Sequence, residues 1–138
     1  MSRVINPNSS AKERTQLTRG IVLAIRELMR QTQPDQHTRD LAAFIALALE
    51  AIFATIDASV TAWEKRGYWL KADRFRMEWT WCETQARAMR KAVLAEDWPS
   101  VAMCAAQVAE KLKDIELPQR HRLGEPWVGA YEKLRAGS

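Results

Sequence analysis

Glycine and proline are scarce, five of each in 138 residues, and most fall near the ends of the chain or between its apolar runs. That distribution suits helices joined by short connections. No Gly-rich phosphate loop and no strand–turn–helix context is present, which excludes nucleotide binding of the usual kinds. Histidine is rarer still. His37 falls at a helix start and His121 in the tail, neither with a carboxylate or cysteine at ligand spacing, so no metal and no cofactor are expected.

Only two cysteines occur, Cys82 and Cys104. If the helices that carry them meet in a hairpin near Trp98, a rise of about 1.5 Å per residue offsets the two axially by about 15 Å. A disulfide needs Cα atoms within about 7 Å. Both therefore read as buried thiols, Cys82 within an apolar seam and Cys104 among Met103, Ala105 and Ala106, and neither as a nucleophile. A reducing, cytoplasmic setting follows. Met1–Ser10 holds no apolar stretch, so no signal peptide is expected. The longest apolar run, Leu41 to Ile56, is broken by Glu50 and falls short of the ~20 residues that span a bilayer, so no membrane partner is expected.

What is present is helical periodicity. The length suits a single domain, 1–138, and 47% hydrophobic with 28% charged residues is a globular balance. Ser9 or Ser10 can cap a first helix over 9–31, with Glu13 completing a capping box. Its apolar face carries Leu17, Ile21, Ile25 and Leu28, and Gly20 inside it marks a close approach by a neighbour or a kink. A second helix, 36–66, starts near Asp35 or Thr38 and stops at Gly67. It has a core stripe (Leu41, Ile45, Ala48, Leu49, Ile52, Ile56, Val60, Trp63) and a second, alanine-rich one that includes Phe44, Leu47, Ala51 and Ala58. A helix apolar on two sides is buried on two sides.

The strictest seam belongs to the third helix, 68–96. Tyr68, Ala72, Phe75, Trp79, Cys82, Ala86, Met89 and Val93 recur in alternating steps of four and three. Leu70, Met77 and Trp81 cluster opposite. Counting from the Gly67 turn sets Arg76 level with Asp57 and predicts an ion pair between them. Asp97 caps a fourth helix, 98–116, with Pro99 in its first turn. The tail, 117–138, carries Trp127, Tyr131 and Leu134 at helical spacing and predicts a short helix near 126–135. The expected architecture is all-α, an antiparallel up-down-up-down four-helix bundle with a short C-terminal helical appendage.

Three functional readings follow. The leading one is a non-enzymatic interaction or scaffold protein, homodimeric through Phe44, Leu47, Ala51, Ala58, Leu70, Met77 and Trp81, since self-association is the commonest way to bury such a patch. Its competitor is a monomer whose first helix or tail covers that face. The second reading is nucleic-acid binding, RNA or DNA, through Lys65, Arg66, Trp69, Lys71 and Arg74, where an aromatic ring stands among cations and the net charge is +4. Helix-end cations also suit the helix dipole alone. The third is a small-ligand pocket lined by Trp63, Trp79 and Met89, against the alternative of a filled core. Glu50, Asp57 and Glu64 share one edge of the second helix but stand about 10 Å apart, too far to hold one ion together.

Overall fold

The computed structural model describes residues 7–137, and all the regular structure among them is helical. In chain order the elements are α1 (Pro7–Leu28), α2 (Gln36–Lys65), α3 (Trp69–Glu78), α4 (Thr80–Leu94), α5 (Trp98–Lys111) and α6 (Ala130–Ala136). The centre is α2. It packs against α1, α3, α4 and α6, while α5 lies on α4 and meets α1 more lightly. Its core stripe is fully covered from Leu41 to Val60, and Ala42, Ala43 and Ala46 are buried beside it. By length and composition α2 would also suit a bilayer span, a test that the core helix of a water-soluble fold passes equally well.

Local chemistry explains most of the helix ends. The first helix begins at Pro7, so Ser9 and Ser10 lie inside it rather than capping it. Proline is tolerated there because its missing N–H would have no helical partner. Asp35 caps α2: its carboxylate accepts from the Thr38 backbone N–H at 3.0 Å, and that bond holds the carboxyl below its ordinary pKa. Gly67 ends the excursion with φ +82°, a left-handed conformation that costs glycine little. Asp97 caps α5 through the Ser100 N–H and hydroxyl. Glu96, just before it, takes φ +51° without being glycine, and Arg39 of α2 holds its carboxylate at 2.6 Å.

The long third helix is two helices. The break falls at Trp79, whose φ is −110° and ψ 9°. The hydroxyl of Thr80 donates to the Arg76 carbonyl at 2.9 Å, a bond back by four residues of the kind that bends helices. The indoles of Trp79 and Trp81 stack at 5.7 Å. Residues two apart on a regular helix do not face each other, so that stack needs the break. Ala72, Cys82, Ala86, Met89 and Val93 of the expected seam are buried; Phe75 and Trp79 are half-buried and Tyr68 is exposed.

The expected Arg76–Asp57 pair does not form. Arg76 reaches Glu64 at 3.3 Å and Asp73 at 3.1 Å. Side chains lean toward the N-terminus of their own helix, so Arg76 leans back toward the turn and away from Asp57. Glu50, on the same edge of α2, is held by Arg90 in a two-pronged pair at 2.7 and 2.8 Å. The C-terminal helix starts at Ala130, later than the periodicity suggests, because Gly129 turns there with φ +81°. Asp40 of α2 accepts from the Tyr131 N–H at 3.0 Å, and Trp127, Ala130 and Leu134 are buried against α2 and its neighbours.

Gly20 is a close approach and not a kink: a Cβ there would lie 3.0 Å from the Phe44 ring. Gly20→Val should therefore cost about 1–3 kcal/mol by overpacking, more than the helix propensity gained, under about 1 kcal/mol. The urea midpoint should fall, and Phe44→Leu in the same chain should recover most of the loss. A Gly20→Val protein as stable as the parent would refute the contact.

Candidate functional site

The last turn of α2, the Gly67 turn and α3 form a corner at one end of the molecule. Trp63 projects from α2, and the Phe75 ring meets it edge-on at 4.9 Å. Phe75 in turn lies 6.4 Å from Trp79, which stacks on Trp81. The four rings make a continuous row joining α2, α3 and α4. Two cations sit on it. The Lys71 ammonium lies 4.6 Å over Trp63, and the Arg14 guanidinium lies 5.0 Å over Phe75 and 5.9 Å over Trp79. Arg14 crosses from α1 and also donates to the Thr55 hydroxyl at 3.1 Å. Burial lowers its pKa from the ordinary guanidinium value, and Glu78 acts in the opposite sense.

Beside this row an open groove of about 670 Å³ runs between the end of α2 and α3. It is lined by Trp63, Gly67, Tyr68, Trp69, Leu70, Lys71, Arg74, Phe75 and Glu78. The groove unites three residues of the expected cationic patch (Trp69, Lys71, Arg74) with Trp63 of the expected pocket. Lys65 and Arg66 are exposed nearby and do not line it. Of the other two pocket residues, Trp79 is taken up in the ring row and Met89 is fully buried in the core.

The expected interface residues do not form one surface. Phe44 packs on Gly20 of α1. Leu47 and Ala51 share a cleft of about 280 Å³ with Leu17 of α1 and with Val128 and Lys133 of the C-terminal segment. This half of the second stripe is partly covered within one chain by α1 and the tail. Ala58 is exposed, and Trp81 is half-buried on Trp79. At the corner the apolar side chains stand open: Tyr68 is 55% exposed, Trp69 62%, Leu70 64% and Met77 77%.

Sequence periodicity gave no hint of Arg14, because it arrives from a helix 41 residues away from Thr55. Phe75 was legible as a seam residue but not as the ring that links the indoles. Among the described residues no three His, Cys, Asp or Glu side chains gather as a metal ion would need. His37 faces the Trp127 ring edge-on at 6.1 Å, and His121 Nδ1 accepts from the Leu123 N–H. No family model matches the chain, and no curated protein or solved structure matches it either.

Both cysteines are free and buried. The Cys82 thiol donates to the Leu49 carbonyl at 3.2 Å, and burial pushes its pKa up to about 12. Burial raises that of Cys104 too. At pH 8 Cys82 is then held as the thiol, and thiolate is the reactive form. In a Cys104→Ala protein, Ellman's reagent at pH 8 should leave Cys82 untouched until the chain unfolds. Reaction within minutes in the folded state would show that this thiol is accessible and that burial does not hold its pKa up.

Proposed function

We propose that the chain is a non-enzymatic interaction module, a four-helix bundle (α1, α2, the α3–α4 pair and α5) that self-associates through the outward face of α3. The observation that carries this is the exposure of Leu70 and Met77 on a helix with a single buried residue, Ala72. At 100° per residue the two side chains lie within about 20° of each other around the α3 axis, so they form one apolar strip. Trp69 flanks it. Tryptophan, tyrosine, methionine and arginine are the residues enriched in protein interfaces, and a second copy of the same strip is its simplest partner.

What supports a non-enzymatic reading is where the reactive groups are. Both thiols are buried and held protonated, one histidine packs on an indole, and the other is engaged within its own loop. Free buried thiols also suit a reducing compartment, and the cytoplasm is the proposed setting.

The wild-type protein should sediment as a dimer at micromolar concentration. Met77→Glu, alone or with Leu70→Glu, should weaken association by roughly tenfold or more, because a twofold interface repeats each change. Helicity by circular dichroism should be unchanged, since both side chains are exposed. A wild-type monomer throughout that range would overturn self-association.

A further inference from the structure

We propose that the groove between the end of α2 and α3 binds a planar aromatic anion: a base carrying a phosphate, as in a nucleotide. Its walls are mostly flat. Trp63, Tyr68, Trp69 and Phe75 contribute rings and Leu70 the one aliphatic side chain. Base-on-aromatic stacking is tolerant of sequence because every base presents a π-face, and Tyr68 and Trp69 are more than half exposed at the mouth. An aliphatic peptide anchor would gain less from such walls than a flat ring would.

Charge complements shape. Lys71 and Arg74 line the groove, and among the described residues neither enters an ion pair. Arg76, on the same helix, is already held by Glu64 and Asp73. Arg74 thus remains to meet an anion, and Lys71, which rests 4.6 Å over the Trp63 ring, joins it by swinging off that ring. Lys65 and Arg66 lie exposed just before the Gly67 turn. Glu78, also on the wall, repels a phosphate and accepts hydrogen bonds, which suits the N–H edge of a base. No phosphate loop is needed, because the rings hold the base and the phosphate stays at the cationic side. A volume of about 670 Å³, open to one side, leaves room for the ligand to be a free nucleotide or one residue of a single strand.

The test is a titration of ¹⁵N-labelled full-length protein that follows the tryptophan indole N–H signals. The probes are AMP, the oligonucleotide (dT)15 and decaglutamate. AMP or (dT)15 should move the Trp63 and Trp69 signals and leave that of the buried Trp127 in place. Arg74→Ala and Lys71→Ala should each weaken that response about tenfold, and Arg74, exposed and unpaired, can be removed without disturbing the fold. Much tighter binding of (dT)15, falling steeply with salt, identifies a strand as the source; equal binding of AMP identifies the free nucleotide. No movement at Trp63 or Trp69 with millimolar AMP and (dT)15 overturns the proposal. So does an equal response to decaglutamate, which would mean an acidic peptide site that reads charge alone. Leu70 and Trp69 belong to both the strip and the groove wall. Met77 lies outside the groove, so the Met77→Glu monomer reads the groove alone, and failure of the dimer and failure of the groove are separately visible.

Discussion

The constraint on which this fold depends is the burial of α2. Leu41, Ile45, Leu49, Ile52, Ile56 and Val60 are at most 2% exposed. Each such side chain contributes about 1.5–3 kcal/mol when taken out of water, whereas an exposed ion pair contributes about 0–1. The pairs Arg90–Glu50 and Arg39–Glu96 therefore set register around α2 and do not hold the molecule together. Alanines at 42, 43, 46 and 48 let neighbouring backbones approach, so one helix can be covered by several others at once. The buried Thr55 hydroxyl on this helix donates to the Ile52 carbonyl at 2.7 Å while accepting from Arg14.

The open corner is a consequence of how that cover runs out. The buried stretch of α2 ends at Val60, and beyond it Trp63 is only half-buried. There α3 is the principal neighbour, and it brings ten residues with one of them buried. The break at Trp79 separates this helix from α4, whose seam residues Cys82, Ala86, Met89 and Val93 are buried. The groove, the exposed Trp69 and the Leu70–Met77 strip all lie on this lightly held helix.

The seam of alternating four and three steps was legible because burial enforces it residue by residue, and Ala72, Cys82, Ala86, Met89 and Val93 obey it. Asp35, Gly67, Asp97 and Pro99 were legible because caps and stops have local chemistry. The break was not. Thr80's bond to Arg76 bends the helix while leaving Trp79 and Cys82 both on the core side, so the periodicity runs through it undisturbed. The second stripe of α2 is half-covered at Phe44, Leu47 and Ala51 and open at Ala54 and Ala58, and a helical wheel says nothing of which element supplies the cover. Phe44 found its cover in a glycine on α1, and Leu47 and Ala51 found theirs in α1 and a tail more than seventy residues downstream.

The same limit applies to the candidate site, where composition and availability part company. Trp63, Phe75, Trp79 and Trp81 form one row, and residue type alone cannot say which rings are free. Arg14 lies over the Phe75 and Trp79 rings and is anchored by its bond to the Thr55 hydroxyl. That inner half of the row is occupied by the protein's own cation and serves the fold. At the outer half the cation over a ring is Lys71, whose flexible stem carries a strongly hydrated ammonium that can leave the Trp63 ring for an anion. Among the described residues no cation lies over Trp69, which is mostly in solvent. The boundary between structural and available aromatics is thus drawn by where α1 ends its reach across the row, a tertiary fact written in Arg14 and invisible in the spacing of the tryptophans.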